Sequence, residues 1–275
     1  MTIAMAGAGR GAPRGRWLLL AGAVWLALAG CATPQAEQQA QVDVVTPSDE
    51  PENRRRARIR MELASGYFEE GKAEIALDEI KQTIAIDPAF ADAYNLRGMI
   101  YMRLNDTRSA EESFRRALAL NSRDSNAHHN YGWLQCTLGR FPESTRSFEA
   151  ALANPIYGGR AKTLMAMGLC QARAGQRAEA ERSLARSYEL DAGNPITGYN
   201  LATLLYQRGD YTRAQFLIRR LNNTDLANAE TLWLGIKVEQ RMNDPVAMEQ
   251  LGDQLKKRYP QSRERSAFDR RAFDE

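Results

Sequence analysis

The chain has 275 residues, 44% of them hydrophobic, 26% charged and 8% aromatic, a balance that supports a buried core and excludes disordered and collagen-like classes. Lys and Arg number 37 against 34 Asp and Glu, and the surplus of three is Arg10, Arg14 and Arg16, in a stretch (residues 1–30) with no acidic residue. Beyond that stretch the charges balance, so the clustered positive surplus needed for nucleic acid is missing and nucleic acid is excluded as a partner.

Taken in chain order, Arg10, Arg14 and Arg16 precede an apolar run, Trp17–Leu28, of twelve residues, too short for a stable membrane span, and residues 1–30 read as a signal peptide. The segment Leu28-Ala29-Gly30-Cys31 resembles a bacterial lipobox, which implies acylation of the Cys31 sulfur and cleavage before it; the plain alternative is a buried cysteine after two small residues. By the same resemblance Ala32, where Asp would mark retention at the inner membrane, implies the periplasmic face of the outer membrane. Residues 31–53 are rich in Gln, Ala, Pro, Ser and acidic side chains and read as an acylated cysteine followed by a flexible tether. The arginines 54, 55, 56, 58 and 60 are either the solvated first turns of a helix or a contact for anionic headgroups.

From here a repeat fills the chain. Small residues recur at Ala64, Gly98, Gly132, Gly168, Ala202 and Gly235, spaced by 34, 34, 36, 34 and 33. Ala76, Ala110, Ser144, Ala180, Ala214 and Ala247 repeat those steps, and so do Ile80, Phe114, Phe148, Leu184, Ile218 and Leu251. Seven residues after each small one stands Gly71, Asn105, Gly139, Gly175 or Gly209, fitting left-handed helix ends, with Met242 breaking the column in the last copy. Each unit is then two helices of about 14 residues, for example 91–104 and 107–120, and the fold class is all-α. The small columns let paired helices approach closely while Phe114 and its equivalents fill the space beside them. This pattern resembles the tetratricopeptide repeat, which implies a right-handed superhelical solenoid of six repeats over residues 54–262, with residues 263–275 as a C-terminal tail.

Chemistry has no visible machinery. None of the phosphate-loop, GxGxxG, GxSxG, HExxH or CxxC patterns is present, so no catalytic residue, metal site or cofactor is assigned. The two histidines, His128 and His129, are adjacent and on a helix point about 100° apart, poor geometry for sharing a metal. Cys136 and Cys170 stand 34 residues apart on neighbouring repeats; they are either a disulfide, which an oxidising compartment favours, or two small buried hydrophobes. The groove formed by the first helix of each pair is the partner surface, and by helical spacing Asn95, Met99, Arg103, His129, Trp133, Met165, Leu169, Tyr199 and Tyr206 face it. This is a Met- and aromatic-lined groove in which Trp133 is the expected anchor; a one-position error in frame would turn the same residues into core.

Asn130-Tyr131-Gly132-Trp133 with Cys136, Asn154-Pro155-Ile156-Tyr157, Met167-Gly168-Leu169-Cys170, Leu232-Trp233-Leu234-Gly235-Ile236 and the stretch LKKRYPQS from Leu255 to Ser262 resemble segments of the PilF/PilW family of type IV pilus biogenesis and stability lipoproteins. The resemblance implies a non-enzymatic, monomeric outer-membrane pilotin that binds the pilus secretin subunit and promotes its localisation and multimerisation, with the membrane contacted through acyl chains and no small-molecule substrate. Two alternatives are a repeat lipoprotein serving outer-membrane protein assembly or cell-wall synthesis, and an envelope enzyme.

Overall fold

The computed structural model describes residues 50–274, and every regular element among them is a helix. The segment expected as a signal peptide, Cys31 expected as the acylated residue, and the expected tether up to residue 49 lie outside the described residues. Twelve helices form six pairs: α1 (Glu52–Glu69) with α2 (Ala73–Ile86), α3 (Ala91–Arg103) with α4 (Thr107–Leu120), and α5 (Ser125–Thr137) with α6 (Phe141–Leu152). α7 (Arg160–Arg173) pairs with α8 (Arg177–Leu190), α9 (Pro195–Arg208) with α10 (Tyr211–Asn222), and α11 (Ala229–Arg241) with α12 (Pro245–Arg258); a short α13 (Arg263–Asp269) follows.

Local chemistry starts and stops these helices. Asp106, Asp124, Asn194, Asp210, Asn228 and Asp244 accept backbone N–H bonds at the starts of α4, α5, α9, α10, α11 and α12, satisfying donors that a helix leaves open there. At the ends of the first helices, Gly71, Asn105, Gly139, Gly175 and Gly209 are left-handed, with φ of 82°, 60°, 73°, 77° and 89°. The backbone then closes the helix from five residues on, as in Asp106 N–H to Tyr101 O at 2.9 Å. In the last pair Met242 keeps φ −82° and Asn243 takes the left-handed role at 58°. The turn column is therefore intact one residue later, with Asp244 N–H closing onto Glu239 O.

The repeating small residues are contact points. A Cβ built on Gly98 would lie 2.5 Å from the Phe114 ring, and one on Gly168 2.7 Å from Leu184 Cγ, so each bulky residue occupies the volume that its glycine leaves open. Phe114, Phe148, Ile80 and Leu184 are all fully buried. Where Ser144 stands in the alanine column, its hydroxyl donates to Gly132 O at 2.7 Å, which satisfies the polar group in the core.

Each odd-numbered helix touches the next odd-numbered one, whereas no two even-numbered helices touch. The first helices of the pairs therefore line the inner side of the solenoid. Residues 263–274, expected as a tail, instead cap it: Ser262 accepts from Arg265 N–H at 3.0 Å to start α13, and Phe268 sits over Gly252, where a Cβ would lie 2.2 Å from the ring. Phe273 stacks on Trp233 at 5.8 Å. A single helix of about two turns carries too little periodicity to be read from sequence, although it buries the end of the core.

Candidate partner groove

The inner face holds two hollows rather than one uniform groove. The first, about 450 Å³, lies among α1, α3, α5 and the start of α7, and takes in Asn95, Met99 and His129 together with Met61, Asn130 and Lys162. Its walls mix polar side chains with Met61, Leu96 and Met99. Asn130 Nδ2 donates to Asn95 Oδ1 at 3.0 Å and lies 3.2 Å from Met99 Sδ, so neighbouring first helices are joined side chain to side chain. The loop before α7 contributes Tyr157, whose hydroxyl donates to Asn126 Oδ1 at 3.2 Å; this loop, which lies within the 36-residue step from Gly132 to Gly168, is part of the groove wall.

His129 is the floor of this hollow and only 6% exposed. Its Nδ1 is 2.8 Å from the Thr163 hydroxyl, and burial first, then the Lys162 charge, lower its pKa to about 4. It is a neutral, structurally bonded imidazole at neutral pH.

The second hollow, about 430 Å³, lies among α9, α11 and α13 and is lined by Tyr199, Tyr206, Trp233, Lys237 and Arg263. Lys237 Nζ lies 5.8 Å from the Tyr206 ring centre and 5.6 Å from that of Trp233, within cation–π range. Burial lowers the Lys237 pKa. Tyr206 also packs against Tyr211 at 5.5 Å.

Between the hollows stands a covalent brace: Cys136 of α5 and Cys170 of α7 are joined by a disulfide with Cα atoms 5.8 Å apart. Ser144 Oγ lies 3.3 Å from Cys170 Sγ. Trp133 is half-buried against the cluster of Cys136, Phe148, Ala166 and Cys170, with the Arg173 guanidinium 6.0 Å from its ring centre.

The nine residues read as groove-lining from sequence thus separate. Asn95, Met99 and His129 share the first hollow, and Tyr199 and Tyr206 the second. Met165 packs on the core of the fourth and fifth pairs, and Leu169 is half-buried on α7. Arg103 does not line either hollow: its guanidinium donates to Phe68 O at 2.9 Å and covers the Phe68 ring at 4.2 Å. It satisfies a carbonyl at the end of α1, where the helix dipole favours a cation. The expected Met and aromatic lining is divided between the hollows: Met61 and Met99 line the first, among Asp92, Asn95, Asp124, Asn126 and Asn130, while the aromatic rings of Tyr199, Tyr206 and Trp233 line the second. Sequence spacing missed Trp233 and Lys237, one turn apart on α11. The signal was present in Asn243, which follows Gly209 by 34 residues and restores the frame that the step of 33 to Gly235 obscures.

Comparison with known proteins agrees with this architecture. A model of the tetratricopeptide repeat matches residues 91–124, the α3/α4 pair. Type IV pilus assembly protein PilF of Pseudomonas aeruginosa is 27% identical over 208 residues, covering 76% of this chain and 82% of that protein. The solved structure of P. aeruginosa PilF superposes with a TM-score of 0.73 at 27% identity, covering 79% of this chain and 99% of that one. That of PilW, described as a widely conserved type IV pilus biogenesis factor, gives 0.69 at 28% identity over 77% and 97%.

Proposed function

We propose that this chain, a tetratricopeptide-repeat homologue of PilF and PilW, is a lipid-anchored pilotin of type IV pilus biogenesis. In this reading it holds a secretin subunit and promotes its outer-membrane localisation and multimerisation without catalysing a reaction. The observation that carries the reading is that the likeness to PilF extends over 99% of the solved PilF chain, a whole-solenoid match rather than a match of single repeats. The lipobox ending in Cys31 supports the anchor.

The mechanism is one of localisation. Acyl chains on Cys31, at about 0.8 kcal/mol per buried methylene, hold the chain on a membrane without a spanning helix. A secretin segment lying along the inner face would meet the Asn95–Asn130 pair at one end and the aromatic hollow around Lys237 at the other. Tethering raises its effective concentration at the bilayer where the multimer assembles.

The test is an immunoblot of secretin in outer membranes from wild type, a deletion strain and a Cys31→Ala strain, scored for detergent-resistant multimers. Multimers that vanish in the deletion strain and fall or mislocalise with Cys31→Ala support a pilotin. Multimers at wild-type level in all three would replace this reading with a general envelope scaffold for outer-membrane protein assembly or cell-wall synthesis.

A further inference from the structure

The N-terminal end of the solenoid is uncovered in a way that no later pair is. On α1, Arg56, Ile59, Arg60 and Leu63 form one stripe at helical spacing, beside Gln82 and Ile86 of α2 around an open hollow. Ile59 and Leu63 are 51% and 49% exposed. One repeat later the residues at the places of Ile59 and Arg60 are Ala93 and Tyr94, 0% and 7% exposed, because α2 packs on α3. Nothing among the described residues plays that part for α1.

The stripe is flanked by arginines, four of the five paired with acidic side chains. Residues 50–60 hold five arginines against Glu50 and Glu52. Arg54 pairs with Asp87, and Arg60 with Glu79 at 2.7 Å. Arg58 pairs with Glu50 and Glu62, and Arg55 with Glu52 at 3.3 Å between two exposed side chains, a contact of little strength that an external phosphate can replace. Arg56 has no ion pair among the described residues. Apolar side chains flanked by arginines, whose stems lie along apolar surface while their heads reach outward, fit the boundary between headgroups and acyl chains.

Position in the chain selects the occupant. Twenty residues separate Cys31 from Glu52, so an anchor at Cys31 keeps the start of α1 within about 70 Å of the bilayer even at full extension. α1 is the first helix among the described residues. We propose that the Arg56–Leu63 face of α1 is a membrane-docking surface for anionic lipid, which seats the N-terminal end of the solenoid on the bilayer and leaves the inner face free of it. The purpose of this surface rests on the lipoprotein reading; its affinity for anionic lipid does not.

The experiment separates the two. The chain from Cys31 onward has one free thiol, because Cys136 and Cys170 are paired, and this thiol is coupled to maleimide-bearing lipid in vesicles. One set is phosphatidylcholine with phosphatidylglycerol, the other phosphatidylcholine alone. A photo-reactive benzoylphenylalanine replaces Ile59, or, as a control at the far end, Val246 of α12, which is 66% exposed. Lipid adducts are expected from position 59 on the anionic vesicles, well above those from position 246. Arg55→Glu with Arg56→Glu should lower them at least about fivefold, since each arginine near an anionic surface contributes about that factor, while circular dichroism stays unchanged. Equal adducts at both positions, equal adducts on neutral vesicles, or adducts to a second copy or to residues 32–49 in place of lipid would overturn the proposal. Chemical coupling replaces acylation here, so such a result counts against the surface alone, whereas a failure of the anchor appears in the Cys31→Ala fractionation.

Discussion

Gly98 and His129 show what single positions do in this molecule. A methyl group on Gly98 would meet the Phe114 ring at 2.5 Å, and Phe114 is fully buried, so the ring has nowhere to retreat. Gly98→Ala should cost about 1–3 kcal/mol in urea unfolding despite the better helix propensity of alanine, and a second change, Phe114→Leu, should recover part of that loss. For His129 the folded pKa is about 4 against about 6.5 unfolded. Below pH 6.5 the unfolded chain takes up a proton that the folded chain refuses, so stability falls with decreasing pH until the folded imidazole also titrates near 4. The contribution is present in full above pH 6.5, and about 2 kcal/mol of it is gone at pH 5. Urea unfolding at pH 7 and pH 5 should show this difference in the wild type and a much smaller one in His129→Gln. An equal pH dependence in both proteins would place the cause elsewhere.

Two elements carry more than their length suggests. The disulfide joins the first helices of the third and fourth pairs across 34 residues; on the chain-entropy model a loop of this size stabilises by about 3–4 kcal/mol. Cys136→Ala with Cys170→Ala should lose about that amount, and reductant should destabilise the wild type without affecting the double variant. α13 is the other. Phe268 is 2% exposed and packs with Trp233, Met248 and Leu255, so Phe268→Ala should cost about 3–5 kcal/mol. Truncation after Ser262 should expose Trp233 and raise binding of an apolar dye. The paired helices were legible in the sequence because close helix packing demands a small residue at a fixed place in every copy, and the turn demands one that tolerates positive φ. The groove was less legible. Its residues are set by the rotation of each helix, and a single-residue shift between Ala202 and Gly235 hid Trp233 and Lys237, while the reach of Arg103 to Phe68 of α1 depends on tertiary contact that no local pattern encodes.

At the scale of the whole molecule, each pair touches little beyond its neighbours along the chain, and the stability of such a solenoid is close to a sum of local and nearest-neighbour contributions. Those contributions are uneven. Among the described residues α1 and α2 have a neighbour on one side only and leave Ile59 and Leu63 open; the C-terminal end is closed by α13; the middle is cross-linked between α5 and α7. Amide hydrogen exchange should therefore grade along the chain, with α1 and α2 opening at the lowest free energy and α5 to α8 at the highest. Reduction of the disulfide should lower protection in α5 to α7 and leave exchange in α1 and α2 at its oxidised rate, since α1 reaches no further along the solenoid than α3. Mass spectrometry of exchange under oxidising and reducing conditions reads both quantities in one experiment. If every helix exchanged at a single free energy and all fell together on reduction, the molecule would be one cooperative unit, and the two hollows would be coupled parts of one site rather than separate sites on a graded frame.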